Sequence, residues 1–139
     1  MKFLEAKVRE VMQQTVHTVQ PDLPLEEALR RMHSDHISSL VVDMNCDAKG
    51  FGILTQKDVL GVLAEEDRLA GVLVSDVMTH PMVVLNPAYD LETAVRLMRM
   101  LGVRRAAVVD GARLCGMLSF TDIFRFACAA HLGKERKSA

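Results

Sequence analysis

Asp58 and Asp122 each stand three residues after a hydroxyl side chain, in Thr55-Gln56-Lys57-Asp58 and Ser119-Phe120-Thr121-Asp122. An ionised carboxylate only accepts hydrogen bonds, so one such group can take both hydroxyls of a ribose. Thr55 and Ser119 mark predicted helix starts. Free N–H groups and the helix dipole favour a phosphate there, and a hydroxyl adds a further bond. The same spacing is also a capping box, in which hydroxyl and carboxylate serve only the backbone. Arg104 and Arg105 precede an apolar run, and a guanidinium matches a phosphate bidentately. Side chains alternate along a strand, so one arginine at most faces a given cleft, and a solvated edge arginine or an ion pair is the plainer reading. Ser38 and Ser39 hold the matching place in the first half, so two such sites would differ in charge. Val16, Met82, Ile37 and Val103 could wall a flat ring, although Ile37 and Val103 read more readily as core. Trp is absent and aromatics make up 4%, which leaves little for stacking.

Other chemistry has weaker support. His33 and His36 are i, i+3 with Asp35 between them, but no Cys or further His follows at metal-ligand spacing. His17, His80 and His131 are scattered. Cys46, Cys115 and Cys128 are odd in number and lack CxxC spacing, which argues for a reducing compartment over a disulfide framework or structural zinc. Cys115 falls in a predicted strand and reads as inert core. No G-x-S-x-G, Walker loop or H-E-x-x-H is present, so hydrolase and kinase templates find no support and no catalytic residue is assigned.

These residues recur because the chain repeats itself. Val11-Met12 returns as Val77-Met78, and at the same offset Pro21, Leu25, Glu26, Ala28, Arg30 and Met32 match Pro87, Leu91, Glu92, Ala94, Arg96 and Met98. Chance supplies roughly two or three identities over such a window. Gly52-Ile53-Leu54-Thr55-Gln56-Lys57-Asp58 then matches Gly116-Met117-Leu118-Ser119-Phe120-Thr121-Asp122 at a slightly smaller offset, which fits a longer first loop at Asn45 to Lys49.

Each copy reads as β-α-β-β-α. Thr15 to Val19 and Met82 to Leu85 are short strands stopped by Gln20-Pro21 and Asn86-Pro87. Leu25, Ala28, Leu29 and Met32, then Leu91, Ala94, Val95 and Met98, fall at i, i+3, i+4, i+7 and predict helices with one apolar face. Pro24 suits a first turn and Asp90 an N-cap. Leu40-Val41-Val42 and Ala106-Ala107-Val108-Val109 are continuous apolar runs, as in strands buried on both faces. Phe51 to Leu54 and Arg113 to Leu118 follow as strands, and a last helix starts after Thr55 or Ser119, the second stopping near Leu132 at Gly133. Met98 and Met100 suit core or an adaptable helix face in a dimer contact. The expected domains are residues 1–68 with a weakly helical lead-in at Ala6 to Met12, residues 69–133 with a joining stretch at Leu69 to Met78, and a frayed polar tail at 134–139. Neither half buries its sheet well alone, so the copies are expected to pack sheet to sheet around a pseudo-twofold axis that creates two related clefts.

Composition bounds the function. The chain has 139 residues, half of them hydrophobic and a quarter charged, which suits a packed α/β (α+β) fold and excludes wholesale disorder. A net charge of −1 lacks the basic face of a nonspecific nucleic-acid binder, and Lys134, Arg136 and Lys137 read as a solvated tail. No run approaches the roughly 20 apolar residues of a membrane span, and Met1 to Lys7 has no apolar signal core, so a cytoplasmic protein is expected.

The paired copies resemble a tandem pair of CBS domains, the cystathionine β-synthase type of regulatory module, over about residues 8 to 130. The resemblance rests on the two Val-Met pairs, the Pro21 and Pro87 turns, the Gly-h-h-Thr/Ser-x-x-Asp blocks, and the stretches Ile37 to Val42 and Val103 to Asp110. It implies a stand-alone, bacterial-type, non-catalytic sensor of adenosine-containing ligands: AMP, ADP or ATP, with S-adenosylmethionine or NAD as further options. No cofactor or metal is required. Asp58 and Asp122 map onto the family's ribose-binding Asp, Thr55 and Ser119 onto its phosphate-side hydroxyl, and Arg104 or Arg105 onto a basic residue that some members turn to phosphate. Ser38, Ser39, Val16 and Met82 complete the expected ligand-binding set. The resemblance also implies a homodimer and signalling through altered self-association or association with a protein partner not named by the sequence. The alternative is a CBS-type dimerisation scaffold that takes no ligand.

Overall fold

The computed structural model describes residues 2–44, 50–66 and 68–138, without the side chains of 2, 3 and 134–138. The loop at 45–49 with Cys46, and the side chains of Lys134, Arg136 and Lys137, lie outside the described residues. The fold is mixed α/β. After a 3₁₀ turn at Lys2–Glu5 come α1 (Val8–Val11), β1 (Thr18–Val19), α2 (Leu25–Ser34), β2 (Ser39–Asp43), β3 (Phe51–Thr55) and α3 (Gln56–Glu65). The second series is α4 (Val74–Val77), β4 (Val84–Leu85), α5 (Leu91–Leu101), β5 (Arg105–Asp110), β6 (Arg113–Ser119) and α6 (Phe120–Ser138). The weakly helical lead-in at Ala6 to Met12 is the short helix α1, and the joining stretch at Leu69 to Met78 holds its counterpart α4, so a short helix stands ahead of each first strand.

The strands form two three-stranded sheets, ordered β1-β2-β3 and β4-β5-β6. In each, the first two strands run parallel and the last two antiparallel. The middle strands are the apolar runs: Leu40, Val41 and Val42 are at most 1% exposed, and Ala106, Ala107 and Val108 are fully buried. Leu25, Ala28 and Met32 of α2 and Leu91, Ala94 and Met98 of α5 form the buried faces of those helices, as the spacing predicts. Leu29 and Val95 flank them half-buried.

Compact packing divides the chain into Val16–Met82 and a second unit made of Met1–Thr15 with Val83–Ala139. These are called here the β1–β3 unit and the β4–β6 unit. The division differs from the sequence repeat because each lead-in helix packs in the unit of the other copy. Val8 of α1 sits in one core with Leu85, Leu91 and Leu118. Val74 of α4 sits in the other with Val19, Leu25 and Leu54.

This exchange explains the shared motifs. The first N–H groups of a helix lack internal partners. In α1 they are met by Tyr89 O at 2.8 Å from Val8 N and Pro87 O at 3.1 Å from Arg9 N; in α4, Leu23 O and Pro21 O take Val74 N and Ser75 N, both at 2.9 Å. Past each helix the chain bridges a sheet, Gln13 with Met117 and Thr79 with Ile53. Met12 and Met78 lie over glycines there. A Cβ on Gly116 would stand 2.6 Å from the Met12 sulfur, and one on Gly52 2.7 Å from the Met78 sulfur. Val-Met, Pro and Gly are thus one docking contact, used twice.

Several expectations shift. The first strands are shorter than Thr15–Val19 and Met82–Leu85: only Thr18 and Val19 pair with β2, and only Val84 and Leu85 with β5. His17 and Val83, just ahead of them, still accept one bond each from the neighbouring strand, His17 O from Val41 N and Val83 O from Ala107 N, both at 2.9 Å, and the pairing ends there. Helix α6 runs through Gly133 to Ser138. An interior glycine costs about 1 kcal/mol, and the following Lys-Glu-Arg-Lys are good helix formers, so the helix propagates instead of stopping. Cys115 is half-buried rather than core; it sits where β6 slips register against Val108 and Val109, with its Sγ donating to Val108 O at 3.3 Å. Asp90 does cap α5, its Oδ1 accepting from Thr93 N at 2.8 Å. That backbone bond, then the Thr93 side chain, holds the Asp90 carboxyl below the usual aspartate range. Pro24 holds the matching place at α2 without a side-chain bond. At the far ends, Gly102 takes the left-handed conformation after α5 (φ 68°), where His36 takes it after α2 (φ 53°).

Candidate functional site

Both Thr/Ser-x-x-Asp blocks sit where a strand turns into a helix. Thr55 ends β3 and caps α3; Ser119 ends β6 and precedes α6. The bonds are nearly superimposable. Asp58 Oδ2 accepts from Thr55 N at 2.9 Å and from Thr55 Oγ1 at 3.0 Å, while Asp58 N donates to Thr55 Oγ1 at 3.2 Å. Asp122 Oδ2 accepts from Ser119 N at 3.0 Å and from Ser119 Oγ at 2.9 Å, and Asp122 N donates to Ser119 Oγ at 3.2 Å. These are capping boxes with Asp in the carboxylate role. The leading N–H of each helix is also taken, Gln56 N by Ser38 O at 3.2 Å and Phe120 N by Arg104 O at 3.0 Å.

One oxygen of each carboxylate is left over, and here the copies differ. Oδ1 of Asp58 has no partner among the described residues. Oδ1 of Asp122 accepts from the Gln13 side-chain amide at 3.0 Å. Gln13 was not singled out by the sequence, because nothing local links it to a residue 109 positions away. Its repeat counterpart Thr79 holds the same backbone bridge with a shorter side chain.

The other expected residues divide by unit. Ser39 lies directly across the ladder from Thr55, as Arg105 does from Ser119. Ser39 is buried and Arg105 half-buried, whereas Ser38 and Arg104 are exposed. Met82 is buried and donates its N–H to Phe51 O at 2.7 Å; Val16 is half-buried just ahead of β1. Val16, Ser38, Ser39, Thr55, Asp58 and Met82 therefore belong to the β1–β3 unit, and Arg104, Arg105, Ser119 and Asp122 to the β4–β6 unit. Ile37 and Val103 pack half-buried against the two cores, in keeping with the plainer reading.

A hollow of about 280 Å³ adjoins Asp122, lined by Glu10, Val11, Gln13, Arg125 and Phe126 as well. A wider groove of about 460 Å³ runs between α2 and α3; His33 and His36 line it with Met32, Val59, Leu60 and Leu63. Among the described residues no three His, Cys, Asp or Glu side chains gather as metal ligands, and no helix is long and apolar enough to cross a membrane.

With this geometry in view, comparison with known proteins settles the family. The model of the CBS domain matches residues 8–73 and again 74–128. The chain belongs to the CBS-domain family, as a tandem pair. It is 30% identical to the CBS domain-containing protein YhcV of Bacillus subtilis over 118 residues, 85% of this chain and 83% of YhcV. It is 37% identical to inosine-5′-monophosphate dehydrogenase of Methanocaldococcus jannaschii over 132 residues, 94% of this chain but 25% of the enzyme. It spans 41% of another relative from that organism, the uncharacterized protein MJ1225, at 25% identity. Among solved structures, CBSX2 in complex with AMP superposes with a TM-score of 0.74 and 28% identity, covering 90% of this chain and 98% of CBSX2. The hexameric CBS-CP12 protein from bloom-forming cyanobacteria gives a TM-score of 0.80 and 27% identity, covering 91% of this chain and 73% of that one.

Proposed function

We propose that this CBS pair is a non-catalytic regulatory module that binds an adenine nucleotide through the helix-start carboxylates, Asp58 above all. The carrying observation is that Asp58 Oδ2 is locked by Thr55 while Oδ1 has no partner among the described residues. The lock fixes the carboxylate, so its remaining acceptor is preorganised for a sugar hydroxyl. An AMP complex of CBSX2, alike in fold and in length, supports the ligand class. The match to a dehydrogenase covers a quarter of that enzyme, and no catalytic role is assigned to any residue here. Binding shifts the protein's conformation or association only by the difference in ligand affinity between the two states. The output is altered association with a second copy, as a homodimer, or with a protein partner, in the cytoplasm.

A second reading is favoured by the capping boxes themselves: every hydroxyl and one oxygen of each carboxylate are already used, as in a scaffold that takes no ligand. Thermal-shift screening against AMP, ADP, ATP, S-adenosylmethionine and NAD separates the two. A ligand at 100 times its Kd adds about 2.7 kcal/mol to the folded state, so a shift of several degrees with AMP, ADP or ATP is expected. No shift with any of the five favours the scaffold.

A further inference from the structure

We propose that Gln13 makes the two carboxylate sites unequal by acting as an internal occupant of the second, so that the Asp58 site fills first. The inference rests on the nucleotide-binding reading. The two capping boxes agree bond for bond, so the helix starts themselves supply no asymmetry. The segment beside each is also held alike. Gln13 N donates to Met117 O at 2.8 Å and Met117 N to Gln13 O at 3.0 Å; Thr79 N donates to Ile53 O at 2.8 Å and Ile53 N to Thr79 O at 2.9 Å. With the backbones alike, the side chains differ: Arg105 lies across the ladder from Ser119 where Ser39 lies across from Thr55, and beside the carboxylate itself Gln13 is longer than Thr79. The Gln13 amide donates to Asp122 Oδ1 at 3.0 Å, the oxygen that would otherwise accept a ligand hydroxyl. Thr79 makes no such bond to Asp58 among the described residues.

Gln13 and Asp122 share the hollow of about 280 Å³ with Glu10, Arg125 and Phe126. A hydroxyl that binds Asp122 there must displace the amide or share the carboxylate with it. Gln13 is solvent-exposed, so water compensates the released amide and the penalty is modest. A hydrogen bond to a charged group at such a site corresponds to about a fivefold change in affinity. The pair of sites then answers a wider range of nucleotide concentration than two equal sites would. Gln13 is a positioning residue: it acts on the ligand through Asp122.

The test reads the second site alone. AMP is titrated calorimetrically into wild type, into Asp58→Asn, and into Asp58→Asn combined with Gln13→Thr, which installs the residue found at 79. The double variant is expected to bind AMP about fivefold more tightly than Asp58→Asn. In wild-type protein the Gln13 side-chain amide resonances are expected to shift only at the higher AMP concentrations that fill the second site. Equal or weaker binding by the double variant, with AMP still bound by wild type, overturns the inference and leaves the nucleotide reading standing. Absence of binding by all three proteins overturns that reading, and this inference with it.

Discussion

The helix starts at Thr55 and Ser119 are alike in the bonds that hold them and different in what approaches them. Each closes a capping box through one carboxylate oxygen, yet the other oxygen of Asp58 has no partner among the described residues while that of Asp122 accepts from Gln13. The docking contacts beneath are also duplicated: Met78 over Gly52, Met12 over Gly116, and a proline-turn carbonyl under each lead-in helix. The difference teaches that the shared geometry of the two copies resides in the backbone, and the divergence in the side chains set around a common carboxylate: Gln13 against Thr79, and Arg105 against Ser39.

The glycine contacts offer the largest effect. A Cβ on Gly116 would meet Gln13 O at 2.8 Å, whereas on Gly52 the nearest backbone atom, Thr79 O, is 3.2 Å away. A methionine sulfur can swing aside; a main-chain carbonyl in a bridge cannot. Gly116→Ala is therefore expected to lose about 2–3 kcal/mol in urea unfolding and Gly52→Ala about 1 kcal/mol. Equal losses would mean that the two docking contacts are equally tight.

Removing the caps comes next. Thr55→Ala and Ser119→Ala each forfeit a hydroxyl that both donates and accepts, and each is expected to lose about 1 kcal/mol of stability. The two losses should agree, because the boxes do. A clear excess at Ser119 would show that the Gln13 bond depends on the cap and is not an independent contact.

The smallest effect separates α5 from α2, since Asp90 caps the one and Pro24 leads the other. The Asp90 carboxyl titrates below its ordinary range in the folded chain. A lowered folded-state value contributes stability above the ordinary aspartate range and loses it as the pH falls through the lowered value. Asp90→Ala should thus lower Tm at about pH 7, and the gap from wild type should close toward about pH 2. A gap independent of pH would assign the cap's effect to something other than the carboxylate.

Much of this was legible in the residues. The i, i+3, i+4, i+7 spacing placed α2 and α5 because each buries one face, and the apolar runs placed β2 and β5 because each is covered on both sides. The Thr-x-x-Asp and Ser-x-x-Asp spacing marked helix starts, since a capping box is a local device. What stayed hidden is non-local. Val8 and Val74 carry no sign of which sheet they join, so the exchange of lead-in helices emerges only from packing. Gln13 reads as an ordinary polar residue until the bridge to Met117 sets it beside Asp122. The run of α6 past Gly133 reflects propagation from a formed helix, which outweighs one unfavourable residue.

Nucleotide binding here depends on Asp58 Oδ1, which has no partner among the described residues. Asn at 58 keeps an oxygen for the Thr55 cap but replaces the other acceptor with a donor. Calorimetric titration of AMP into wild type and Asp58→Asn tests the claim most directly. The expected result is a folded variant whose tightest AMP site is weakened about tenfold or more, as for loss of a charged hydrogen bond. Unchanged tight binding by Asp58→Asn would contradict it.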